Sequence, residues 1–325
     1  MKVSISFVFV YHGLVDVLSD RLAQARARGA VFSVLRRVEP WGLAFSGTRA
    51  LTVHIIAEGA AWMEQAGAEP LRLGPQDTVL VTAGAPYAIV SSPGAKAEPI
   101  RDARIAGSDA GDGIAATVLC GAYVLEGSVG RSLVDDLPRV VVVPRERQDD
   151  AHRAVVSLLT AEVARDGTGQ QALLDRLLDV TLVYTLRAWW ASDESGRPGW
   201  YAALSDPRLR VLLEGLHGHP EAPWTLTEMA RVAQLSRSAL AKRFAAEVGT
   251  PPARYLADLR MQRAEDALVR TDETLSAIAA AVGYQNPFAF ATAFRRRHGL
   301  SPGQWRLRER LGEGDRDADH VTLDA

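Results

Sequence analysis

The stretch from Trp224 to Arg306 repeats itself, and that repetition constrains the chain more than anything else in its 325 residues. Leu226, Met229 and Ala230 recur as Leu275, Ile278 and Ala279, each 49 residues on. Leu240, Phe244, Gly249, Pro252 and Tyr255 recur as Phe290, Phe294, Gly299, Pro302 and Trp305, each 50 residues on. One added residue in the second turn accounts for the change of offset. The chain therefore holds two copies of one module, and each copy reads as helix, tight turn, helix.

The local chemistry agrees. Thr225 is placed to cap the first helix of copy one, with Glu228 three residues on to complete a capping box. Leu226, Met229, Ala230 and Ala233 then share a helical face. A small residue at Ala230 or Ala279 lets the next helix cross closely. Gly283 suits a turn position of positive φ, where copy one has the less tolerant Gln234. Ser236 is placed to cap the second helix, whose buried side is Leu240 and Phe244. The rest of its surface carries Arg237, Ser238, Ala241, Lys242 and Arg243, a basic face on a short helix of the kind that enters a major groove. A helix over about Pro252 to Arg270, with Leu256, Leu259, Ala264, Ala267 and Leu268 as its apolar set, is predicted to hold the two copies apart. A spacing of about 34 Å would put their second helices in successive major grooves on one face of B-DNA. The competing reading is a small helical bundle whose arginines only solvate it.

From about Asp206 to Arg308 the chain resembles the DNA-binding domain of AraC/XylS-type transcription regulators. The resemblance is carried by Leu235-Ser236-x-Ser238-x-Leu240-x-x-Arg243-Phe244, by Gly249-x-Pro-Pro-x-x-Tyr255-Leu256-x-x-x-Arg260 and by Ile278-Ala279-x-x-Val282-Gly283-Tyr284. It continues through Phe290-x-x-x-Phe294-Arg295-Arg296 and Gly299-x-Ser301-Pro302-x-x-Trp305-Arg306. That is about a hundred residues of motif at the family's spacing. The resemblance implies that residues early in each second helix read bases. Here these are Arg237, Ser238, Ala241 and Lys242 in copy one, and Gln285, Asn286, Ala289 and Thr292 in copy two. Ser236 and Arg243 complete the DNA-binding set of copy one, and Arg295, Arg296 and Arg297 are expected on phosphates. Thr292 departs from the arginine that many relatives carry, which bonds bidentately to guanine. Copy two is therefore expected to read sequence weakly. Phe290, Phe294, Tyr255 and Trp305 are expected in the core.

Charge is distributed to match. The net formal charge of −2 conceals an asymmetry: residues 205–310 hold 16 Lys+Arg against 11 Asp+Glu, or +5, whereas residues 1–204 hold 20 against 23, or −3. The basic excess lies where the repeats lie, as phosphate binding requires. The one cysteine, Cys120, rules out an internal disulfide and points to a reducing, cytoplasmic setting. Ile5 to Val10 is apolar but too short to span a membrane, and residues 1–14 read as an unpaired strand or arm.

The first half has a different period. After a short amphipathic helix over Val15 to Ala27 come β-rich runs at Val31, Leu51, Ala61, Thr78, Ala88 and Ala116, punctuated by Gly and Pro at roughly ten-residue spacing. This predicts a barrel or jelly roll. Gly29-Ala-Val-Phe, Pro40-Trp-Gly-Leu, Leu73-x-x-x-Asp77-x-Val-Leu and Leu119-Cys-Gly resemble the cupin-type sensor domain that precedes this helix-turn-helix module. Cupin enzymes usually hold a metal on two or three His and a carboxylate. Here His54 has no second His two residues away, and Tyr87 stands where the later histidine is expected, so no metal or other cofactor is assigned. Trp41, Phe45, His54, Trp62 and Tyr87 are instead the candidate lining of a small-molecule pocket, each with core packing as its plainer explanation. Residues 94–113 have no period and are expected to form a mobile loop or lid. Two helices, Asp150 to Asp166 and Gln170 to Trp190, follow; the second has a broader apolar face than one neighbour buries, which suggests a two-fold dimer, as the family resemblance implies, or else packing of both stripes on the barrel.

The fold class expected is α+β in two domains. Residues 1–148 would form a cupin-like β-barrel, 149–191 a helical hairpin at a dimer interface, 192–205 a linker, 206–310 the all-α double helix-turn-helix domain, and 311–325 an acidic disordered tail. The function expected is sequence-specific regulation of transcription, responsive to a small molecule; the residues do not give its sign, and the family resemblance implies activation. The partners would be an operator, an effector, a second copy and RNA polymerase, with no membrane and no catalytic activity. The alternative is a cupin-type metal enzyme fused to a DNA-binding module.

Overall fold

The computed structural model describes residues 15–25, 28–109, 115–125, 127–163, 165, 167–192 and 196–321. The arm expected over residues 1–14 lies outside them. Contacts divide the chain into two units, one spanning residues 25–197 and one that joins the first helix, α1 (Val17–Ala25), to the chain from Pro198 onward. The helix written first in the sequence thus packs with the module written last.

The first unit runs β1 (Arg28–Arg37), β2 (Gly42–Phe45), β3 (Leu51–Glu58), β4 (Ala61–Gln65), β5 (Leu71–Leu73), β6 (Thr78–Thr82), β7 (Tyr87–Val90) and β8 (Glu98–Pro99). Then come α2 (Ile100–Ala106), β9 (Ala116–Val124), α3 (Gly127–Asp135), β10 (Val140–Val143), α4 (Asp150–Val163) and α5 (Gln170–Ala191). The strands form two five-stranded sheets, ordered β1-β9-β3-β6-β10 and β5-β4-β7-β2-β8. The expected barrel is therefore not closed: β5 and β8, the edges of the second sheet, are three and two residues long, too short to carry a hydrogen-bond ladder across the gap. The core lies between the sheets and includes Leu35, Trp41, Leu43, Phe45, Ile56, Met63, Leu73, Val81, Tyr87, Ile89 and Cys120.

The other face of the first sheet carries α5. Tyr123 Oη on β9 donates to the Leu178 carbonyl at 2.8 Å, and Gly121 lets the helix come close: a Cβ there would lie 3.0 Å from Val53 and 3.3 Å from Leu178. Of residues 94–113, expected to be a mobile loop, 94–109 hold β8 and α2 instead, and 110–113 lie outside the described residues. Buried Arg37 donates to the Ala103 carbonyl at 3.2 Å and pairs with Asp109 at 3.4 Å, fixing the segment to β1. With Ala103 its one buried residue, the seven-residue α2 leaves no hydrophobic period to read.

The second unit contains α1, α6 (Gly199–Ala202), α7 (Pro207–Gly218), α8 (Leu226–Val232), α9 (Arg237–Val248), α10 (Pro252–Arg270), α11 (Leu275–Ala281), α12 (Pro287–His298) and α13 (Pro302–Val321). Residues 199–205, expected in a linker, are helical; Trp200 is buried, with the Arg21 guanidinium 4.6 Å from its ring centroid. Helix α13 runs on to Val321, over most of the stretch expected to be disordered. A helix already nucleated from Pro302 adds each further residue at little cost, which composition alone does not show.

The duplication extends to details of bonding. Arg260 donates to the carbonyls of Pro220 and Ala222, both at 2.7 Å. Arg310, 50 residues on, donates to Val269 and Thr271 at 2.9 and 2.6 Å, and these stand 49 residues after Pro220 and Ala222. Each guanidinium thus clamps the strand of chain that enters its helix-turn-helix. The aromatic anchors repeat too: Tyr255 meets Phe244 edge-on at 5.6 Å, and Trp305 meets Phe294 at 5.8 Å.

Candidate nucleic-acid interface

The second helix of each copy is fixed by a cap, a turn and a buried ring. In copy one Thr225 Oγ1 accepts from the Glu228 amide at 3.1 Å and starts α8. Glu228 turns to Arg231, at 2.6 Å. The turn places Gln234 at φ 52°, and Ser236 Oγ accepts from the Ala239 amide at 3.2 Å to start α9. In copy two Thr274 Oγ1 accepts from Ala277 at 3.2 Å, Gly283 sits at φ 80°, and Asn286 Oδ1 accepts from Phe288 at 2.8 Å. Leu240 and Phe244, and Phe290 and Phe294, are buried beneath.

On one side α9 exposes Arg237, Ser238, Lys242 and Arg243, with Ala241 half-buried beside them; Ala239, Ala246 and Glu247 are exposed too. The hydroxyls of Ser236 and Ser238 bond at 3.2 Å, so Ser236 serves mainly to shape the helix start. Arg243 is held by Asp206, the N-cap of α7, at 2.6 Å, which ties it to the scaffold. In the turn and cap before α12 Gln285 and Asn286 are exposed, and on α12 itself Phe288, Ala289, Thr292, Arg295, Arg296 and Arg297. Arg297 pairs with Asp258 on α10. Arg295 and Arg296 lie in the last turn, where cations also offset the helix dipole. Phe288 is the residue the sequence reading passed over: an aromatic near two core phenylalanines reads as a third, and only its place on the helix sets it apart.

In the sheet unit, three of the five pocket candidates come together. Phe45 stacks on Tyr87 at 4.8 Å and lies 4.6 Å from His54, and His54 Nε2 bonds Tyr87 Oη at 2.7 Å. Thr52 Oγ1, unforeseen, donates to the Val81 carbonyl at 3.2 Å and lies 2.9 Å from Tyr87 Oη. Its one proton spent, Thr52 accepts from Tyr87, which in turn accepts from His54 Nε2–H. That leaves His54 Nδ1 a buried acceptor with no partner in the structure. Burial drives the His54 pKa down to about 3, so the ring is neutral, and it raises the Tyr87 phenol above its usual range. Trp41 belongs to the same core. Trp62 does not: Ala61 and Met63 face inward, so by the strand's alternation Trp62 points away. Cys120 pairs across strands with His54, its thiol pushed up to about 12 by burial. Among the described residues no group of three or more His, Cys, Asp or Glu is placed to hold a metal ion.

Comparison with known proteins places both halves. Residues 16–191 match the cupin family and residues 229–308 a helix-turn-helix domain. A putative AraC-like transcription regulator of Streptomyces lividans is 30% identical over 303 residues, 90% of this chain and 98% of the relative. The chain belongs to the AraC-like transcription regulators. It is a DNA-binding regulator of transcription, with a cupin region ahead of its helix-turn-helix domain. The RCS-specific transcriptional activator RclR of Escherichia coli is 25% identical over 260 residues, covering 79% of this AraC-like chain and 84% of RclR. Among solved structures, the DNA-binding domain of AdpA in complex with a target DNA aligns at 28% identity over 33% of this chain and 95% of that one, with a TM-score of 0.31. Among the described residues, no helix of this AraC-like protein is long and apolar enough to cross a membrane.

Proposed function

We propose that this AraC-like protein reads an operator with α9 and α12 and that a small molecule in the sheet unit tunes that binding. Arg237, Ser238, Ala241 and Lys242 would face bases from α9, and Gln285, Asn286, Ala289 and Thr292 from α12, with Arg295 and Arg296 on phosphates. One observation carries the reading: in both copies the same two positions are buried (Leu240 and Phe244, Phe290 and Phe294) while the opposite face stays exposed and, Phe288 apart, small, polar or cationic. Arg243 and Arg297, tied to Asp206 and Asp258, act as positioning residues.

The effector would meet Phe45, His54 and Tyr87 rather than Trp62, and the bare Nδ1 of His54 favours a molecule that brings a hydroxyl or N–H donor. Coupling would arise as a difference in effector affinity between two arrangements of a homodimer. Support for the dimer comes from α5, which buries Leu174, Leu178, Leu182 and Leu186 yet leaves Leu173 and Val180 exposed and Leu177 half-exposed, spaced four and three residues apart as in a paired-helix seam. A relative named as an activator supports activation, and RNA polymerase would then be a further partner. Placement in the cytoplasm and the absence of catalysis complete the proposal.

The test is selection of duplexes from a random-sequence library by the full-length protein, repeated with Lys242→Ala. One enriched motif is expected, with the variant about 10- to 100-fold weaker on it, since a specific base contact contributes about 1–3 kcal/mol. An unchanged affinity would take Lys242 out of the base-reading set.

A further inference from the structure

Phe288 is 82% exposed, the most exposed of the large apolar side chains among the described residues. It is the second residue of α12, whose buried side is already filled by Phe290 and Phe294. Its position is set by the helix start: Pro287 opens the helix, and the Phe288 amide donates to Asn286 Oδ1 at 2.8 Å. The ring therefore projects from the first turn, one helical turn ahead of Thr292 and two ahead of Arg295 on the same exposed side. A phenyl group held in water on a face that is otherwise small, polar or cationic calls for an apolar partner within reach of phosphates.

We infer that Phe288 reads the C5 methyl group of a thymine in the major groove. The inference rests on the proposal that α12 enters that groove. The chemistry of its neighbour favours the same base. With Oδ1 engaged at the cap, Asn286 is poorly placed for the two-atom pairing with adenine that a carboxamide otherwise makes, while its amino group remains a donor. Thymine is the base that displays an acceptor, O4, beside a methyl group in the major groove. Asn286 Nδ2 matches the first and the Phe288 ring the second. The methyls of Ala289 and Thr292 extend the apolar surface to an adjacent step. Copy two, which lacks an arginine at Thr292, thus reads by shape and hydrophobicity where copy one reads by charge and hydrogen bonds.

The experiment uses the full-length protein on the duplex it enriches from a random library, with each thymine replaced in turn by deoxyuridine, which removes only the methyl. Wild-type affinity is expected to fall roughly four-fold at one or two thymines in one half of the site, as burial of a single methyl implies. Phe288→Ala should bind the thymine duplex more weakly and lose that sensitivity, and Phe288→Leu should keep it. Uracil insensitivity throughout, or the same sensitivity in Phe288→Ala, would overturn the inference while leaving base reading by α9 in place. Failure to enrich any sequence would remove the underlying proposal with it.

Discussion

Asp20 and His217 stand 197 residues apart in the chain and 2.6 Å apart in the fold. Arg263 joins them, donating to Asp20 Oδ1 at 2.8 Å and to the His217 carbonyl at 2.9 Å, and Tyr255 Oη lies 2.7 Å from His217 Nε2. Burial alone would raise the Asp20 pKa, but the bond from His217 and the charge of Arg263 outweigh it and hold the carboxyl below its usual range. Burial likewise holds His217 below the ordinary imidazole value, against the pull of Asp20. The pair is therefore a carboxylate and a neutral ring. An ionised carboxylate only accepts, so His217 donates from Nδ1 and accepts the Tyr255 hydroxyl at Nε2. The network ties α1 to α7 and α10, and through Tyr255 to Phe244 beneath the first recognition helix.

Asp20→Ala should therefore destabilise the unit that binds DNA although it lies outside the helix-turn-helix repeats. Removing the carboxylate leaves the His217 N–H, the Gln24 side-chain amide and one Arg263 donor without it, an expected loss of about 1.5–3 kcal/mol for bonds to a charged group. Urea unfolding of the full-length protein followed by tryptophan fluorescence reads it, Trp200 lying against Arg21 on the same helix. An unchanged midpoint would show that α1 adds nothing to this unit.

The same groups set a direction for pH. His217, His54 and His152 all have lowered folded-state pKa values, the last two to about 3 and about 4, each chiefly through burial. The unfolded chain then binds more protons than the folded one below about pH 6.5, so stability is full above that value and falls as the pH drops through it. Asp20, also lowered, adds its own loss below about pH 4. Thermal unfolding between pH 7.5 and 5 should show the midpoint falling, and His217→Gln should flatten the dependence of the DNA-binding unit. A midpoint that rose on acidification would contradict these shifts.

The repeated module was legible in the sequence because it obeys local rules. Its caps, its crossing alanines and its buried rings recur at fixed spacing, and Pro252–Arg270 is the helix its periodicity predicts. What escaped was set by distant partners. Nothing near Arg37 says that it will pin a short helix around Ala103, and nothing near Asp20 names His217. Closure of the sheets also escaped, since it depends on the length of β5 and β8 rather than on alternation. Trp62 looked like Phe45 and Tyr87 in composition, and only the register of β4 turns it outward.

Gly283→Ala tests the turn of copy two. At φ 80° an L side chain is strained, and the added Cβ would lie 2.6 Å from Arg260 Nη2 and 2.7 Å from the Glu221 carbonyl. The guanidinium cannot simply move aside, because it holds the Pro220 and Ala222 carbonyls. A loss of roughly 1–3 kcal/mol is expected. Gln234→Gly in copy one, at φ 52°, relieves strain instead and should change stability by less than about 1 kcal/mol. Equal losses from the two changes would mean that the turns are not equivalent.

Arg296 and Arg297 are adjacent in sequence but differ in what they hold, and salt dependence separates them. Arg296 is exposed at the end of α12, whereas Arg297 pairs with Asp258 on α10. Each phosphate neutralised releases counterions, so losing one contact lowers the slope of log K against log salt by about 0.9. Arg296→Ala should weaken binding alike on a selected operator and on an unrelated duplex, and reduce both slopes by about one. Arg297→Ala should alter the slope less, because its guanidinium is already partly neutralised, and should act mainly by loosening α12 from α10. Titrations of both variants against the two duplexes between 50 and about 200 mM potassium chloride span the range in which such contacts are felt. Were Arg296→Ala to change which sequence is preferred, the residue would belong with the base-reading set.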